Sequence, residues 1–142
     1  MLPVMVTDMD AGRRPRPIGL LTNLLAGQKL EFVRLGHAVV LGFSGGSQVL
    51  IETLARLDGP AGRVFVEPGD EPSDDLAALL GDVVTGARTF RDGELMITFG
   101  SGSELLVGVD ADVESWAVAG SGGVLIVCLA RGEIAVWGDQ PA

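Results

Sequence analysis

Ser44 is the side chain whose surroundings most resemble a catalytic motif. It lies in Gly42-Phe-Ser-Gly-Gly46, which fits the G-x-S-x-G pattern of a nucleophile elbow. That chemistry requires a histidine after the serine to accept its proton, and a carboxylate to orient the imidazole ring. The single histidine, His37, precedes Ser44 on the same predicted strand, and a repeated copy of the segment has Gly100 in place of the serine. We therefore expect Ser44 to be a hairpin residue.

His37 and Cys128 are the only histidine and the only cysteine, so neither is part of a recognisable metal-ligand pattern. Cys128 stands among valine, isoleucine and leucine, where a thiol behaves as a small buried hydrophobe. The glycine-rich turns match neither a dinucleotide-binding loop nor a P-loop. The sequence therefore predicts no catalytic residues, no cofactor and no metal ligands, and the single cysteine fits a reducing cytoplasm.

The overall charge narrows the possible partners. The chain has 10 lysines and arginines against 19 aspartates and glutamates, which gives a formal net charge of −9. A field of this sign repels phosphate backbones, so we expect no nucleic-acid binding. The most apolar run, residues 124–130, is far shorter than the ~20 residues that a membrane-spanning helix needs. We expect no membrane association, and a basic protein partner is the binding partner that the charge favours.

Two groups of carboxylates could attract positive charge. Asp110, Asp112 and Glu114 stand at alternate positions and could bind a hard divalent cation, but they lack the glycine and the closing glutamate of a calcium loop. We expect a solvated loop there. The second group is Glu67, Asp70, Glu71, Asp74 and Asp75. We interpret it as a mostly solvated loop leading into a helix, and as a candidate surface for a basic partner.

The chain has two tryptophans and no tyrosine, which is too few aromatic residues for a base-stacking platform or an aromatic cage. Trp116 and Trp137 flank the last predicted strands, where such residues are usually part of the core or a lid. Trp116, Val136 and Trp137 are also our candidates for a partner interface at the C-terminal end of the domain.

An internal repeat is the main structural signal. Residues 41–52 and 97–108 align without gaps and alternate in polarity as the strands of a β-hairpin do. A leucine-rich segment ending in glycine precedes each copy, at 19–27 and 74–81, and predicts a short helix. The identical pairs in the hairpins are Phe43/Phe99, Gly46/Gly102, Ser47/Ser103 and Leu50/Leu106.

These elements predict a mainly β, α+β fold in which two β-units, each introduced by a short helix, pack together and a C-terminal β-meander completes the sheet. We assign residues 1–17 to a flexible N-terminal arm and residues 18–142 to a single domain. Within the domain, the pseudo-repeats cover about 19–66 and 74–118, and the meander covers 115–137. Residues 58–73 are rich in turn formers and are predicted to be a surface linker that contains a short strand.

The strand predicted at Val124–Leu129 is apolar on both faces and must be covered on both. One solution is a two-fold homodimer with the meander at or near the contact. The alternative is that the other β-unit covers this strand within one chain.

The residues from Trp116 to Trp137 resemble a family of small bacterial proteins, frequent in actinobacteria, that is classed as a domain of unknown function. Its members have Trp-x-Leu-x-Gly-Pro-Gly-Gly, an apolar strand, Pro-Gly-Gly and then Leu-Ala-Val-Trp. Here Ser121 replaces the first proline and Ala130-Arg131-Gly132 replaces Pro-Gly-Gly. The resemblance spans about residues 20–137 and implies no activity.

We expect a non-catalytic module that binds another protein, because the usual catalytic residues are missing or isolated. Two alternatives remain open. The chain could be an immunity-type or antitoxin-type acidic inhibitor of a basic toxin. It could also be a small-molecule binder or an enzyme with a carboxylate-based site between the β-units.

Overall fold

The computed structural model describes residues 4–6, 18–71 and 73–138. They form two antiparallel sheets and two short helices, so the predicted β-rich fold is confirmed. A 3₁₀ turn, Ala130–Gly132, precedes the last strand. The elements are β1 Val4–Val6, α1 Ile18–Leu25, β2 Leu30–Leu35, β3 Val39–Phe43, β4 Gln48–Ile51, β5 Ala55–Gly59, β6 Gly62–Val66, α2 Asp74–Ala77, β7 Val84–Thr89, β8 Leu95–Phe99, β9 Glu104–Val107, β10 Trp116–Ala119, β11 Leu125–Cys128 and β12 Ile134–Trp137.

One sheet has seven strands in the order β1-β12-β11-β10-β4-β3-β2, and the other has five in the order β6-β5-β9-β8-β7. The apolar faces of both sheets contribute to one hydrophobic core, which α1 and α2 also join. Trp116, on β10, is 1% exposed and donates its indole N–H to the carbonyl of Gly93, in the β7–β8 turn of the other sheet, at 2.9 Å. Neither helix, in the part of the chain that is described, is long and apolar enough to cross a membrane.

The repeated segments form equivalent hairpins, as predicted. Leu41 pairs with Val49 in the β3–β4 hairpin, and Ile97 pairs with Leu105 in the β8–β9 hairpin. The turn glycines Gly46 and Gly102 both have positive φ, of 90° and 93°, which a residue with a side chain rarely adopts. The recurrence of glycine at this point is therefore a conformational requirement.

The two halves meet through reciprocal hydrogen bonds at one corner, where Lys29 and Val83 form an isolated antiparallel bridge. The N–H of Gly27 donates to the carbonyl of Val84, and the N–H of Gly81 donates to that of Leu30, both at 2.8 Å. Each bond of one half has its counterpart in the other. The corner therefore lies on an approximate two-fold axis that relates the halves.

The halves also exchange strands. After β4, the chain crosses to the other sheet, where β5 pairs with β9; after β9, it crosses back, and β10 pairs with β4. Both crossings use the same main-chain contact: the N–H of Glu52 donates to the carbonyl of Ser115 at 2.8 Å, and that of Gly108 donates to Leu54 at 3.0 Å. β5 and β6 form a hairpin within the five-stranded sheet. Much of segment 58–73, which was predicted to be a surface linker, is therefore part of that sheet.

The C-terminal meander forms as predicted, with β10, β11 and β12 paired in sequence. On β11, Ile126 and Cys128 lie in the core, and Val127, on the opposite face, is only 5% exposed in the single chain. A second copy of the chain is therefore not needed to cover this strand. The homodimer remains a prediction.

The first strand adds an edge to the seven-stranded sheet, because Val4 pairs with Val136 and Val6 with Ile134. Val4–Val6 were assigned by sequence to the N-terminal arm. The remaining residues of that arm lie outside the described part of the chain, as do residues 139–142.

Candidate protein-binding groove

A groove of about 760 Å³ lies between β2, α2 and the loop that precedes α2. We call it the β2 groove. It brings one edge of the first half against the helix of the second half. The lining residues are Glu31, Phe32, Val33, Arg34, Leu35, Gly69, Asp70, Glu71, Ser73, Leu76, Ala77 and Leu80.

One wall of the β2 groove is an unpaired strand edge, because β2 ends the seven-stranded sheet and pairs only with β3 among the described strands. The backbone N–H and C=O of Phe43 both bond on the β4 side of β3. Backbone groups alternate in direction along a strand, so those of Val40 point toward β2 and bond its partner Arg34. The groups of Val33 and Leu35 consequently point away from β3 and into the groove.

The equivalent edge in the other half is occupied. There, α1 packs along β7, and the hydroxyl of Thr22 donates to the carbonyl of Ala87 at 2.8 Å. The same hydroxyl accepts the N–H of Ala87 at 3.2 Å. Ala87 is the counterpart of Val33, since both stand three residues after a β-bulge begins. Because α2 has four residues and α1 has eight, the helix leaves the β2 edge open.

Two large apolar side chains border the opening. Phe32 is 39% exposed and Leu80 is 48% exposed, while Leu76, which also lines the groove, is buried. The ring of Phe32 covers Gly42 on the neighbouring strand so closely that a Cβ at Gly42 would overlap it. The Arg34 guanidinium lies 6.0 Å from the same ring. The groove thus presents an apolar surface that is held in place by the sheet beneath it.

Part of the acidic segment found in the sequence lies at this groove. Asp70 and Glu71 line it, and Glu31 adds a third carboxylate from β2. Two main-chain N–H groups of the loop are bonded: that of Glu67 donates to the Asp70 carboxylate at 2.9 Å, and that of Gly69 donates to the carbonyl of Gly36, in the β2–β3 turn, at 3.1 Å. Two of the five sequence-predicted acidic residues therefore share one site with the open strand edge.

The other acidic candidates have separate positions. Ser73 caps α2 by accepting the N–H of Leu76 at 3.2 Å, and Asp74 and Asp75 occupy the first helical turn. Asp75 lines a second, largely apolar cavity of about 230 Å³, together with Ser101 and Ser103. Of the five predicted acidic residues, Asp70 and Glu71 are the two that line the β2 groove.

The C-terminal candidates lie elsewhere. Trp116 and Val136 are core residues, so neither side chain is on the surface of the single chain. Trp137 is half-buried on β12, well along the sheet from the β2 edge. The structure therefore does not bring these three residues together with Asp70 and Glu71.

Ser44 directly follows β3 and His37 lies in the turn before it, so the whole of β3 separates the two residues. The Ser44 hydroxyl accepts the N–H of Lys29 at 2.9 Å, which makes it part of the hairpin turn.

The Asp110 carboxylate accepts the N–H of Asp112 at 2.7 Å within its loop. Across the described residues, no group of three or more metal-ligating side chains could hold a metal ion.

A carboxyl group with a raised pKa lies away from the β2 groove. Burial raises the pKa of Glu94, and the negative charge of neighbouring Asp92 raises it further. Glu94 lines an open hollow at the β7–β8 turn, with Phe90, Arg91 and Asp92. All four residues belong to one hairpin loop, so the hollow is not a site between the two β-units.

Phe32, Val33 and Leu80 were not singled out in the sequence. The sequence showed only that Phe32 and Val33 belong to a predicted strand. A strand pattern does not show whether the strand lies at the edge of a sheet. Leu80 falls in the leucine-rich segment before Gly81, where an apolar side chain is expected to be buried. Only the tertiary arrangement shows that Phe32 and Leu80 face one opening.

The fold and the site define a duplicated antiparallel β protein with exchanged strands and an open groove at one sheet edge. By sequence, the chain belongs to a family of unknown function (DUF6188), whose family model matches residues 21–138. The expected membership of an uncharacterised family is thus confirmed, over nearly the residues that carried the resemblance. No curated protein and no solved structure matches the chain.

Proposed function

We propose that this protein is a non-catalytic interaction module that binds a basic protein partner in the β2 groove. The observation that carries the proposal is the combination of an unpaired strand edge with exposed Phe32 and Leu80 on its borders. Exposed apolar side chains beside unpaired backbone groups are characteristic of binding edges, because an unprotected edge otherwise promotes aggregation.

Charge supports a basic partner. Three carboxylates line the groove, those of Glu31, Asp70 and Glu71, against the single guanidinium of Arg34. The whole chain has a net charge of −9, which adds a long-range attraction for a positively charged surface. A basic toxin inhibited by this protein would be one partner of this chemistry. We also propose a bacterial, cytoplasmic setting, in keeping with the buried thiol of Cys128, which forms no disulfide.

A small-molecule site is the second candidate, because a volume of about 760 Å³ lies within the usual range for ligand pockets. The groove is open along a strand edge, and its carboxylates stand on a loop and at the start of β2. Such a shape suits an elongated segment better than a compact ligand that must be enclosed. The protein-binding proposal therefore accounts for more of the observed geometry.

Affinity capture from the native host, with identification of the bound proteins, tests the proposal when it is done with matched variants. Phe32→Glu with Leu80→Asp disrupts the groove, and Phe65→Glu alters a 60% exposed phenylalanine on β6 that does not line it. We expect a basic protein that the wild type and Phe65→Glu retain and that the groove variant loses. Its binding should weaken with salt. Equal retention by the groove variant would overturn the proposal.

A further inference from the structure

We propose that the partner binds as an extended segment that pairs with β2 and becomes an eighth strand of the seven-stranded sheet. This inference rests on the proposed function and specifies how the partner is recognised. Strand addition uses main-chain hydrogen bonds for affinity and alternate side chains for specificity. The β2 groove supplies both kinds of contact.

The backbone contacts come from Val33 and Leu35. Their N–H and C=O groups face the groove, and within the described residues no hydrogen bond satisfies them. The two residues are separated by one position, which is the spacing at which an added antiparallel strand forms its paired hydrogen bonds. A segment of about five residues would engage all four groups.

The other half of the molecule shows that such an edge takes a partner. The hydroxyl of Thr22 bonds both the N–H and the C=O of Ala87, which correspond to the groups of Val33. The N–H and C=O of Val33 on β2 likewise need hydrogen-bond partners, but the short α2 supplies no equivalent hydroxyl. An incoming main chain would satisfy these groups in the way that Thr22 does for β7.

The side chains that border the β2 groove determine which side chains suit the added strand. Val33 and Leu35 pack against the core, while Phe32 and Arg34 lie on the outer face of the sheet. Side chains of an added strand would alternate in the same way. Those on the inner side would contact Leu76 and Leu80, and those on the outer side would lie beside Phe32. A lysine or arginine at one end would reach Asp70 and Glu71.

A second free edge, β6, is a less suitable site for a basic segment. The charged side chains on this part of the five-stranded sheet balance, because Arg56 and Arg63 both pair with Asp58 and Glu104 lies opposite Asp58 on β9. This edge therefore lacks the excess of carboxylates that lines the β2 groove. Phe65 on β6 consequently provides the matched control for Phe32: an exposed phenylalanine on an edge strand without that acidic lining.

The direct test uses two fluorescein-labelled peptides with alternating valines and lysines. One is unmodified, and the other is N-methylated at two consecutive central residues, so that both of its edges lose a hydrogen-bond donor at unchanged charge. Fluorescence anisotropy would measure binding to the full chain. We expect the methylated peptide to bind at least about tenfold more weakly, as the loss of one to two backbone hydrogen bonds predicts.

Variants of the protein locate the binding site. Val33→Pro removes an N–H that points into the groove and takes no part in the β2–β3 ladder, so an edge strand can tolerate it. We expect Val33→Pro and Phe32→Ala to weaken binding of the unmodified peptide, and Phe65→Ala to leave it unchanged. If Val33→Pro does not fold, Phe32→Ala still tests whether the peptide binds in the β2 groove. The methylated peptide still tests whether it binds through main-chain hydrogen bonds.

The outcomes separate strand addition from the broader proposal. Equal binding of both peptides, lost in Phe32→Ala, would overturn strand addition and leave the β2 groove as the binding site. Binding weakened by methylation but insensitive to Phe32→Ala would place the added strand at another edge and overturn the inference. Absence of peptide binding would also overturn it, whereas the capture experiment would still decide the proposed function.

Discussion

Gln28 and Asp82 occupy equivalent positions in the two halves, and each holds the glycine-rich turn of its own hairpin. The side-chain oxygen of Gln28 accepts the N–H of Gly45 at 2.9 Å, and the carboxylate of Asp82 accepts the N–H of Ser101 at 3.2 Å. The main-chain carbonyls of the same two residues accept hydrogen bonds across the corner between the sheets. Each residue therefore ties a hairpin turn to the junction of the two halves.

Asp82→Ala should lower the free energy of unfolding by about 1–3 kcal/mol, because it removes the acceptor of several hydrogen bonds. The carboxylate accepts the N–H and the hydroxyl of Ser101 as well as the N–H of Val83. Urea denaturation would measure the loss, and a double-mutant cycle with Ser101→Ala should show coupling. Asp112→Ala, at an exposed position, is the control. An equally small effect of both aspartate variants would contradict this role.

Gly132→Ala should be among the most destabilising single substitutions of a glycine. Gly132 has a φ of +91°, and a Cβ at this position would overlap the carbonyl oxygen of Asp92 on the β7–β8 turn. We expect a loss of about 3 kcal/mol or more, from combined backbone strain and steric overlap. Gly122→Ala is the matched control, since a Cβ there meets nothing within 4 Å. Similar midpoints of thermal unfolding for the two variants would refute the close packing.

Glu94→Gln should stabilise the protein at neutral pH and have little effect in acid. Burial raises the pKa of Glu94 in the folded state, so the folded protein binds this proton more tightly than the unfolded chain does. The free energy of unfolding therefore falls as the pH rises through the ordinary glutamate range, near about 4.3, to the raised pKa. Urea denaturation at pH 7 and below pH ~4 would show the difference. A stabilisation that is independent of pH would contradict the assignment.

Asp58→Asn is the control, because its effect on the free energy of unfolding at neutral pH should have the opposite sign to that of Glu94→Gln. The hydrogen bond from Arg63, at 2.8 Å, lowers the pKa of Asp58. Its stabilising contribution is present above the ordinary aspartate range and is lost as the pH falls through the lowered pKa. Asp58→Asn should therefore destabilise the protein at neutral pH and not in strong acid.

The oligomeric state can be measured directly. A two-fold homodimer through the meander would scatter light with twice the 14.7 kDa mass of one chain at micromolar concentration. Trp137→Asp should reduce that mass to one chain with the fold retained, because a carboxylate would be buried in the contact. A single-chain mass for the wild type would reject the dimer.

The local pattern of the sequence was sufficient to predict the hairpins. Gly46 and Gly102 recur where positive φ is required, and the flanking strands alternate in polarity, so turn and register could both be inferred. The crossing of β5 to the other sheet could not be inferred from the local pattern. Its residues Arg56 and Asp58 precede a cluster of turn formers, and only pairing with a strand many residues later shows that they are part of a sheet.

The candidate site was half predicted for a similar reason. The charge run that contains Asp70 and Glu71 is visible in the sequence, whereas the free edge of β2 depends on which strands fail to pair with it. Phe32 and Leu80 belong to different halves and meet only when the halves dock. The apolar and backbone parts of the site are therefore properties of the tertiary structure.

The reciprocal exchange of strands also constrains the order of events during synthesis. When β4 leaves the ribosome, the strand that will flank it, β10, has not been made, and β5 waits in the same way for β9. The nascent first half has unpaired strands and no complete sheet. Stable structure therefore awaits the translation of most of the second half, and the growing chain is exposed to aggregation or to capture by chaperones until then.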